Sequence, residues 1–247
     1  MTTSIYSDPV LYDLLFPPGA YAPFYADQAR REGGPVLELA CGTGQLIVPI
    51  AASGIRAAGI DLSAEMLEGA RDRARAASTK VDFVEGDMRS FDLGERFGLV
   101  FIARNSLLHL HEPEDLLACF DAVRRHLRPG GAFVLDVFNP SVRILATPPG
   151  RRVELMRVLH PERGEVVFEQ TGEYDSAAQV TRATWYFSSP GAPDFLVTPF
   201  HVRSIFPREL PLLLAAGGFR LESRHGDFRG SPFTSDSRHQ VCVCRAA

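Results

Sequence analysis

Residues 36–46 read VLELACGTGQL. An apolar stretch holding one acid, Glu38, runs into a glycine turn. The turn runs into a segment with helical spacing, GQLIVPIAASG. A glycine turn directly after a strand lets a ligand approach the backbone. A helix starting at about Gly44 aims its N-terminus at that ligand. The stretch therefore predicts strand, ligand loop and helix, the opening unit of an α/β sheet. A dinucleotide fingerprint needs a small residue where this chain has Ile47, and the G-K-[ST] of a phosphate loop is missing. A carboxylate at Glu38 would also repel a pyrophosphate. It suits a ligand with a positive or hydrogen-bond-donating group and no phosphate.

Outward from this loop, strands and helices alternate across residues 35–140. RAAGID is a short strand ending on Asp61, and VDFVEGD a strand ending at Asp87. Between them, Ser63 and Glu65 open a helix as N-cap and first-turn acid. FGLVFIA is fully apolar, as in a parallel sheet buried on both faces. EPEDLLACFDAVRRHLRPGG is expected as a helix begun at Pro113 and stopped by Pro129–Gly130–Gly131, and AFVLDVFNP as the next buried strand. This order predicts a doubly wound, mostly parallel sheet. Residues 151–206 then hold four alternating runs separated by PERG, DSAA and SPGAPD, an antiparallel sheet inserted into the α/β domain. A helix, PRELPLLLAAGG, and two strands without a helix between them complete the chain. The expected organisation is an aromatic-rich cap or lid over 1–34, a ligand-binding domain of 35–150 and 207–247, and the insert of 151–206 over the substrate site.

LELACGTGQL resembles motif I of the class I S-adenosylmethionine-dependent methyltransferases, with Ala40 at the first glycine position. Three further stretches match in order: AGIDLS, VEGDM and LRPGGAFVLDVFNP. The resemblance implies a seven-stranded Rossmann-like methyltransferase sheet and S-adenosyl-L-methionine as methyl donor, leaving S-adenosyl-L-homocysteine. It also implies roles for single residues. Asp61 would bind both ribose hydroxyls, Asp87 the adenine amino group, and the Met88 amide the ring. Glu38, Ala40, Gly42 and Gly44 would line the loop, and Asn105 and Ser106 would lie near the methionine part. Leu62 and Met66 are the apolar candidates for the adenine face. LYDLLF and GAYAPFY resemble the start of a small-molecule subgroup that includes glycine/sarcosine and amino-sugar N-methyltransferases, and the inserted sheet resembles this subgroup too. By that likeness Tyr12 and Tyr21 reach the cofactor or acceptor, and His201, Arg203 and Phe206 are pocket candidates, with Asn139 and Trp185.

Composition narrows the partners. The chain has 247 residues, a net charge of −4, and 45% hydrophobic and 23% charged residues. An acidic balance without basic runs is a poor match to a nucleic-acid backbone. The Asn/Asp-Pro-Pro-aromatic signature of nucleic-acid amino-methyltransferases is absent after the fourth strand, as is a Pro-Cys nucleophile. No apolar run approaches the ~18–20 residues that span a bilayer. Cys41, Cys119, Cys242 and Cys244 form no CxxC pair and no zinc spacing, so no metal is expected. That cysteine usage, with no signal-peptide pattern at the N-terminus, fits the cytoplasm. Methyl transfer is an in-line displacement that needs mainly alignment and exclusion of water. A neutral amine attacks without a strong base and a hydroxyl needs one, for which His109, His111, His201 and Tyr186 are the candidates. N- and O-methylation, monomer and homodimer, all stay open at this point. So do a non-catalytic methyltransferase-like binding domain and, against Glu38 and Ile47, a nicotinamide oxidoreductase.

Overall fold

The computed structural model describes residues 4–247. Along the chain come α1 (Pro9–Leu15), α2 (Tyr21–Glu32), β1 (Val36–Leu39), α3 (Ile47–Ala52), β2 (Ala57–Asp61), α4 (Ala64–Ala76), β3 (Asp82–Glu85) and β4 (Phe97–Ile102). There follow α5 (Pro113–His126), β5 (Leu127–Phe138), α6 (Val142–Leu145), β6 (Val153–His160), β7 (Gly164–Asp175), β8 (Val180–Ser189) and β9 (Ala192–Arg203). The chain closes with α7 (Leu210–Ala216), β10 (Phe219–His225) and β11 (His239–Ala246).

These elements form two compact units, Met1–Pro17 with Pro140–Ser204, and Pro18–Asn139 with Ile205–Ala247. The second unit holds a seven-stranded sheet in the order β10-β11-β5-β4-β1-β2-β3. Strands β1 to β5 run parallel to their neighbours. β11 lies antiparallel between β5 and β10. Every residue of β1 and β4 is buried, as the apolar runs require of central strands covered on both faces. β1 sits between β2 and β4, so the winding reverses there. That is the topological switch point, where an open α/β sheet leaves a crevice beyond its carboxyl ends. The doubly wound sheet is the architecture the sequence implies.

Two helix limits differ from the sequence expectation. α3 begins at Ile47, with Leu46 as N-cap, not at Gly44. Gly44 has φ 72°, outside the helical region, so the helix cannot include it. α5 ends at His126, before Pro129. Leu127 is extended and pairs with Phe97 in the sheet, so strand pairing ends the helix; the next pairing is Ala132 with Leu99, and residues 128–131 bulge between. Elsewhere the helix signals act as read. Ser63 accepts the Met66 amide at 3.1 Å to cap α4, and α5 starts on Pro113 with Glu114 and Asp115 in its first turn and basic residues in its last.

The first unit holds a four-stranded antiparallel meander, β6-β7-β8-β9, built from the four alternating runs. Pro199 is tolerated because β9 is an edge strand. The inward residues of the meander, Val166, Phe168, Ala183, Trp185, Phe187 and Leu196, pack with Ile5, Leu11 and Leu15. The first 34 residues are thus divided at Pro17–Pro18: α1 belongs with the inserted strands, and α2 with the seven-stranded sheet.

Candidate active site

β1 ends at Leu39 and the chain turns at once. Ala40, Gly42 and Gly44 have φ of 54°, 53° and 72°, three left-handed residues in five positions. Glycine takes this conformation freely, whereas an alanine loses on the order of 1 kcal/mol there. The turn is closed against the end of β2. Gly42 donates its amide to Asp61 Oδ2 at 2.7 Å, and Ser63 donates to Oδ1 at 2.9 Å. Burial raises the Asp61 carboxyl above its usual range, against backbone hydrogen bonds from Ser63, Gly42 and Leu62 that favour the charge. A carboxylate has about four acceptor positions, so these donors do not exhaust it. Beside it Leu62 is 65% exposed, an apolar face at a polar strand end. Met66 is 1% exposed and packed into the core.

Glu38 is 3% exposed, and its Oε2 accepts the Ile47 amide at 3.1 Å. It therefore satisfies one of the N–H groups that the start of α3 leaves without an intrahelical partner. Burial pushes its carboxyl well above the usual range, and the charge of Arg104 opposes that shift most strongly. The sequence reading gives Glu38 to a ligand; in the structure its carboxylate binds the helix that the loop leads into.

After β3, Asp87 is engaged by Arg89. Its carboxylate accepts from the Arg89 amide at 2.8 Å, from Nε at 3.0 Å and from Nη2 at 2.6 Å. This pairing holds its carboxyl below the usual range. Arg89 also reaches Asp115 at 2.9 Å and so ties the loop after β3 to the start of α5. Met88, between them, is buried.

The loop after β4 carries a second left-handed pair, Arg104 (φ 58°) and Asn105 (φ 65°). What holds them there is Asp136 of β5, which is fully buried. Asp136 Oδ1 accepts the Arg104 amide at 3.0 Å and the Tyr25 hydroxyl at 2.6 Å, and the Asn105 amide donates to the same carboxylate. Oδ2 has no partner, and burial raises the carboxyl to about 6. Ser106 opens a single 3-10 turn, Ser106–His109, in which His109 is exposed. The Arg104 guanidinium donates to Gln45 of the glycine loop at 2.7 Å and lies 5.2 Å over the Tyr21 ring. Tyr21 packs on Phe228 at 4.3 Å, and Phe228 on His239 at 5.1 Å. Asn139 donates its amide to Arg238 O at 2.8 Å and its Nδ2 to Ser237 O at 2.9 Å, fixing the approach to His239. Burial, then Arg238, keeps His239 below the usual imidazole range.

The seven-stranded unit thus brings together Glu38, Ala40, Gly42, Gly44, Asp61, Leu62, Asn105, Ser106 and Tyr21 at the carboxyl ends of its strands. Phe206, in the same unit, donates its amide to Glu209 at 3.3 Å ahead of α7. Tyr12, Trp185, Tyr186, His201 and Arg203 belong to the first unit. There Tyr12 lies 5.1 Å from Phe16, Trp185 stacks on Phe200 at 3.7 Å, and Arg152 covers Tyr186 at 4.1 Å. Arg203 is buried and His201 exposed. Sequence reasoning missed Tyr25, Arg104, Asp136, Phe228 and His239. Tyr25 lies in GAYAPFY and Asp136 is the one acid in the apolar run AFVLDVF, but neither stretch shows that the two pair. Among the described residues no group of three His, Cys, Asp or Glu could hold a metal, and no helix is long and apolar enough to cross a membrane.

This geometry has close counterparts. A methyltransferase-domain family model matches residues 36–131. The cypemycin N-terminal methyltransferase of a Streptomyces species is 29% identical over 255 aligned residues, covering 96% of this chain and 98% of that one. The solved CcbJ methyltransferase of Streptomyces caelestis superposes with a TM-score of 0.81 at 31% identity, covering 93% of this chain and 97% of that one. CalS10 from Micromonospora echinaspora, an amino pentose methyltransferase solved with S-adenosylmethionine bound, gives a TM-score of 0.68 at 22% identity over 100% and 98% of the two chains.

Proposed function

The chain belongs to the class I S-adenosylmethionine-dependent methyltransferases, and we propose that it methylates the nitrogen of a small-molecule amine. The family's donor is S-adenosyl-L-methionine, which supplies an activated methyl on a sulfonium. One observation carries the reading of the donor site. The loop after β1 is closed on Asp61 by the 2.7 Å contact from Gly42, so a carboxylate stands at the end of β2 beside the glycine turn. A carboxylate with spare acceptor positions suits a vicinal diol, and the exposed Leu62 beside it suits an aromatic base. In this reading Asp87 and the Met88 amide serve the adenine edge. The glycine loop, Asn105 and Ser106 serve the methionine end.

Nitrogen is favoured on two grounds. The cypemycin methyltransferase is named for an N-terminus and CalS10 for an amino pentose, each a molecule that carries an amine. A neutral amine also brings its own lone pair, so the chain's work reduces to alignment and exclusion of water. Within the seven-stranded unit, Tyr21, Asn139 and Phe206 are the acceptor-side candidates. No dedicated base is required of His109, His201 or Tyr186. The four free, buried cysteines support a cytoplasmic location.

The test is methyl transfer from labelled S-adenosylmethionine to a dTDP-linked amino sugar and to a peptide with a free N-terminus. Each is run beside its N-acetylated form. Labelling of a free amine and not of its acetylated partner is the expected result. Labelling of hydroxyl acceptors alone would replace nitrogen by oxygen, and cofactor binding without any turnover would favour a non-catalytic binding domain.

A further inference from the structure

The residues assigned above to donor and acceptor leave out Asp136, a fully buried carboxylate of β5. We propose that Asp136 is a positioning residue of methyl transfer, holding the loop after β4 and helix α2 in one frame so that Arg104 is fixed on the glycine loop. The proposal deepens the reading of that loop as serving the methionine end of the donor.

The frame is a closed ring of contacts. Tyr21 and Tyr25 are four residues apart on α2 and so share a face of the helix. Tyr25 sends its hydroxyl to Asp136 at 2.6 Å, while its ring stacks on Phe101 of β4 at 4.5 Å. Tyr21 lies under the Arg104 guanidinium. The Arg104 amide returns to Asp136 at 3.0 Å. Outside the ring, the same guanidinium reaches Gln45 between Gly44 and α3. Two consecutive non-glycine residues in the left-handed region do not stay there unaided. An ionised acceptor below their amides is a strong reason for them to do so, because hydrogen bonds to a charged oxygen are roughly twice as strong as neutral ones.

Other arrangements explain less. A residue kept only for packing would be apolar, as its neighbours Leu135 and Val137 are. A carboxylate buried with one oxygen unpartnered costs stability, so its retention points to what the other oxygen arranges. The charged and titratable groups facing Asp136 are Tyr25 from α2, Glu38 from β1, Arg104 from the loop and Cys242 from β11. The Asp136 carboxyl sits at about 6, so it is ionised at neutral pH and loses its charge in mildly acidic solution.

The experiment compares wild type, Asp136→Asn and Tyr25→Phe by calorimetry with two probes. S-adenosyl-L-homocysteine carries the amino-acid end. 5′-Methylthioadenosine lacks it. At pH 8 Asp136→Asn should bind S-adenosyl-L-homocysteine about tenfold more weakly and 5′-methylthioadenosine within twofold of wild type. Tyr25→Phe, which removes one donor and no charge, should show the same selectivity with a loss of about threefold. The ratio of the two S-adenosyl-L-homocysteine affinities, Asp136→Asn against wild type, should approach one as pH falls from 8 to 5. That ratio removes the titration of Asp61, which both proteins share; Glu38, which feels the charge of Asp136, is taken out by repeating the comparison in a Glu38→Gln background. Equal losses on both probes, or no loss on either, would overturn the positioning role. If Asp136→Asn does not fold, Tyr25→Phe decides by the same selectivity. Failure of wild type to bind either probe would instead sink the assignment of the donor site.

Discussion

The amide of Gly42 and the carboxylate of Asp61 meet at 2.7 Å, joining the turn after β1 to the end of β2. The contact makes one carboxylate responsible for the shape of the loop, and in the proposed function the same carboxylate receives the ribose. Replacing Asp61 by Ala should weaken S-adenosyl-L-homocysteine binding by at least tenfold, since lost hydrogen bonds to a charged group cost about 1.5–3 kcal/mol each. Isothermal calorimetry measures this directly, and wild-type affinity in the variant would remove Asp61 from the donor site.

Ala40 sits where the family's motif has its first glycine, and at φ 54° it holds a conformation that suits glycine better. Ala40→Gly should therefore stabilise the protein. Relief of the strained backbone outweighs the extra freedom of an unfolded glycine, leaving about 0.5–1 kcal/mol. A higher urea midpoint with an unchanged slope is the expected signature.

Glu38 distinguishes acceptor from charge. Glu38→Gln keeps an oxygen for the Ile47 amide and removes the buried titratable carboxyl, so its stability should stay within about 1 kcal/mol of wild type. Glu38→Ala leaves that amide without its acceptor and should cost about 1–3 kcal/mol. Thermal denaturation of the pair at pH 7 separates the two. Equal melting temperatures would show that the hydrogen bond contributes little.

Asp136 gives a stability test with a definite sign. Its folded carboxyl, raised to about 6, binds a proton more readily than in the unfolded chain, near 4. The stability linked to that proton is fully present below about pH 4 and is lost as pH rises through 6. Asp136→Asn cannot lose it. Relative to wild type, the variant should gain on the order of 1–3 kcal/mol between pH 4 and pH 7, read from denaturant unfolding at both values. A stability difference that does not change with pH would mean that the carboxyl titrates normally.

Much of the proposed donor site was legible because its residues follow strand ends in order. The fully apolar FGLVFIA gave a central parallel strand, and Gly42, Gly44 and Asp61 fell at the ends that the sheet brings together. What stayed hidden depends on partners far along the chain. Asp136 and Tyr25 are 111 positions apart, and in sequence an acid within a strand does not reveal which loop it will hold. Arg89 captures Asp87 from two residues away, yet VEGDMR reads equally as a free acid followed by a solvated base. Glu38 misleads for a local reason. An acid before a glycine turn reads as ligand chemistry until the next helix is seen to begin on it. The end of α5 at His126 was set by the pairing of Leu127 with Phe97, which outweighs the stop signal at Pro129.

The division of the chain at Pro17 and Pro140 bears on how the protein is made. Ile5, Leu11 and Leu15 leave the ribosome well before the strands whose side chains cover them, and β9 ends only at Arg203. In the other unit, the open edge of β5 is closed by β11, which follows every other strand of that sheet in the chain. Neither unit can be completed until those strands have been made. The nascent chain must keep an apolar helix and a half-paired buried strand from wrong partners until β9 and β11 have been made, and a chain cut short before β11 would carry β5 as a ready template for aggregation.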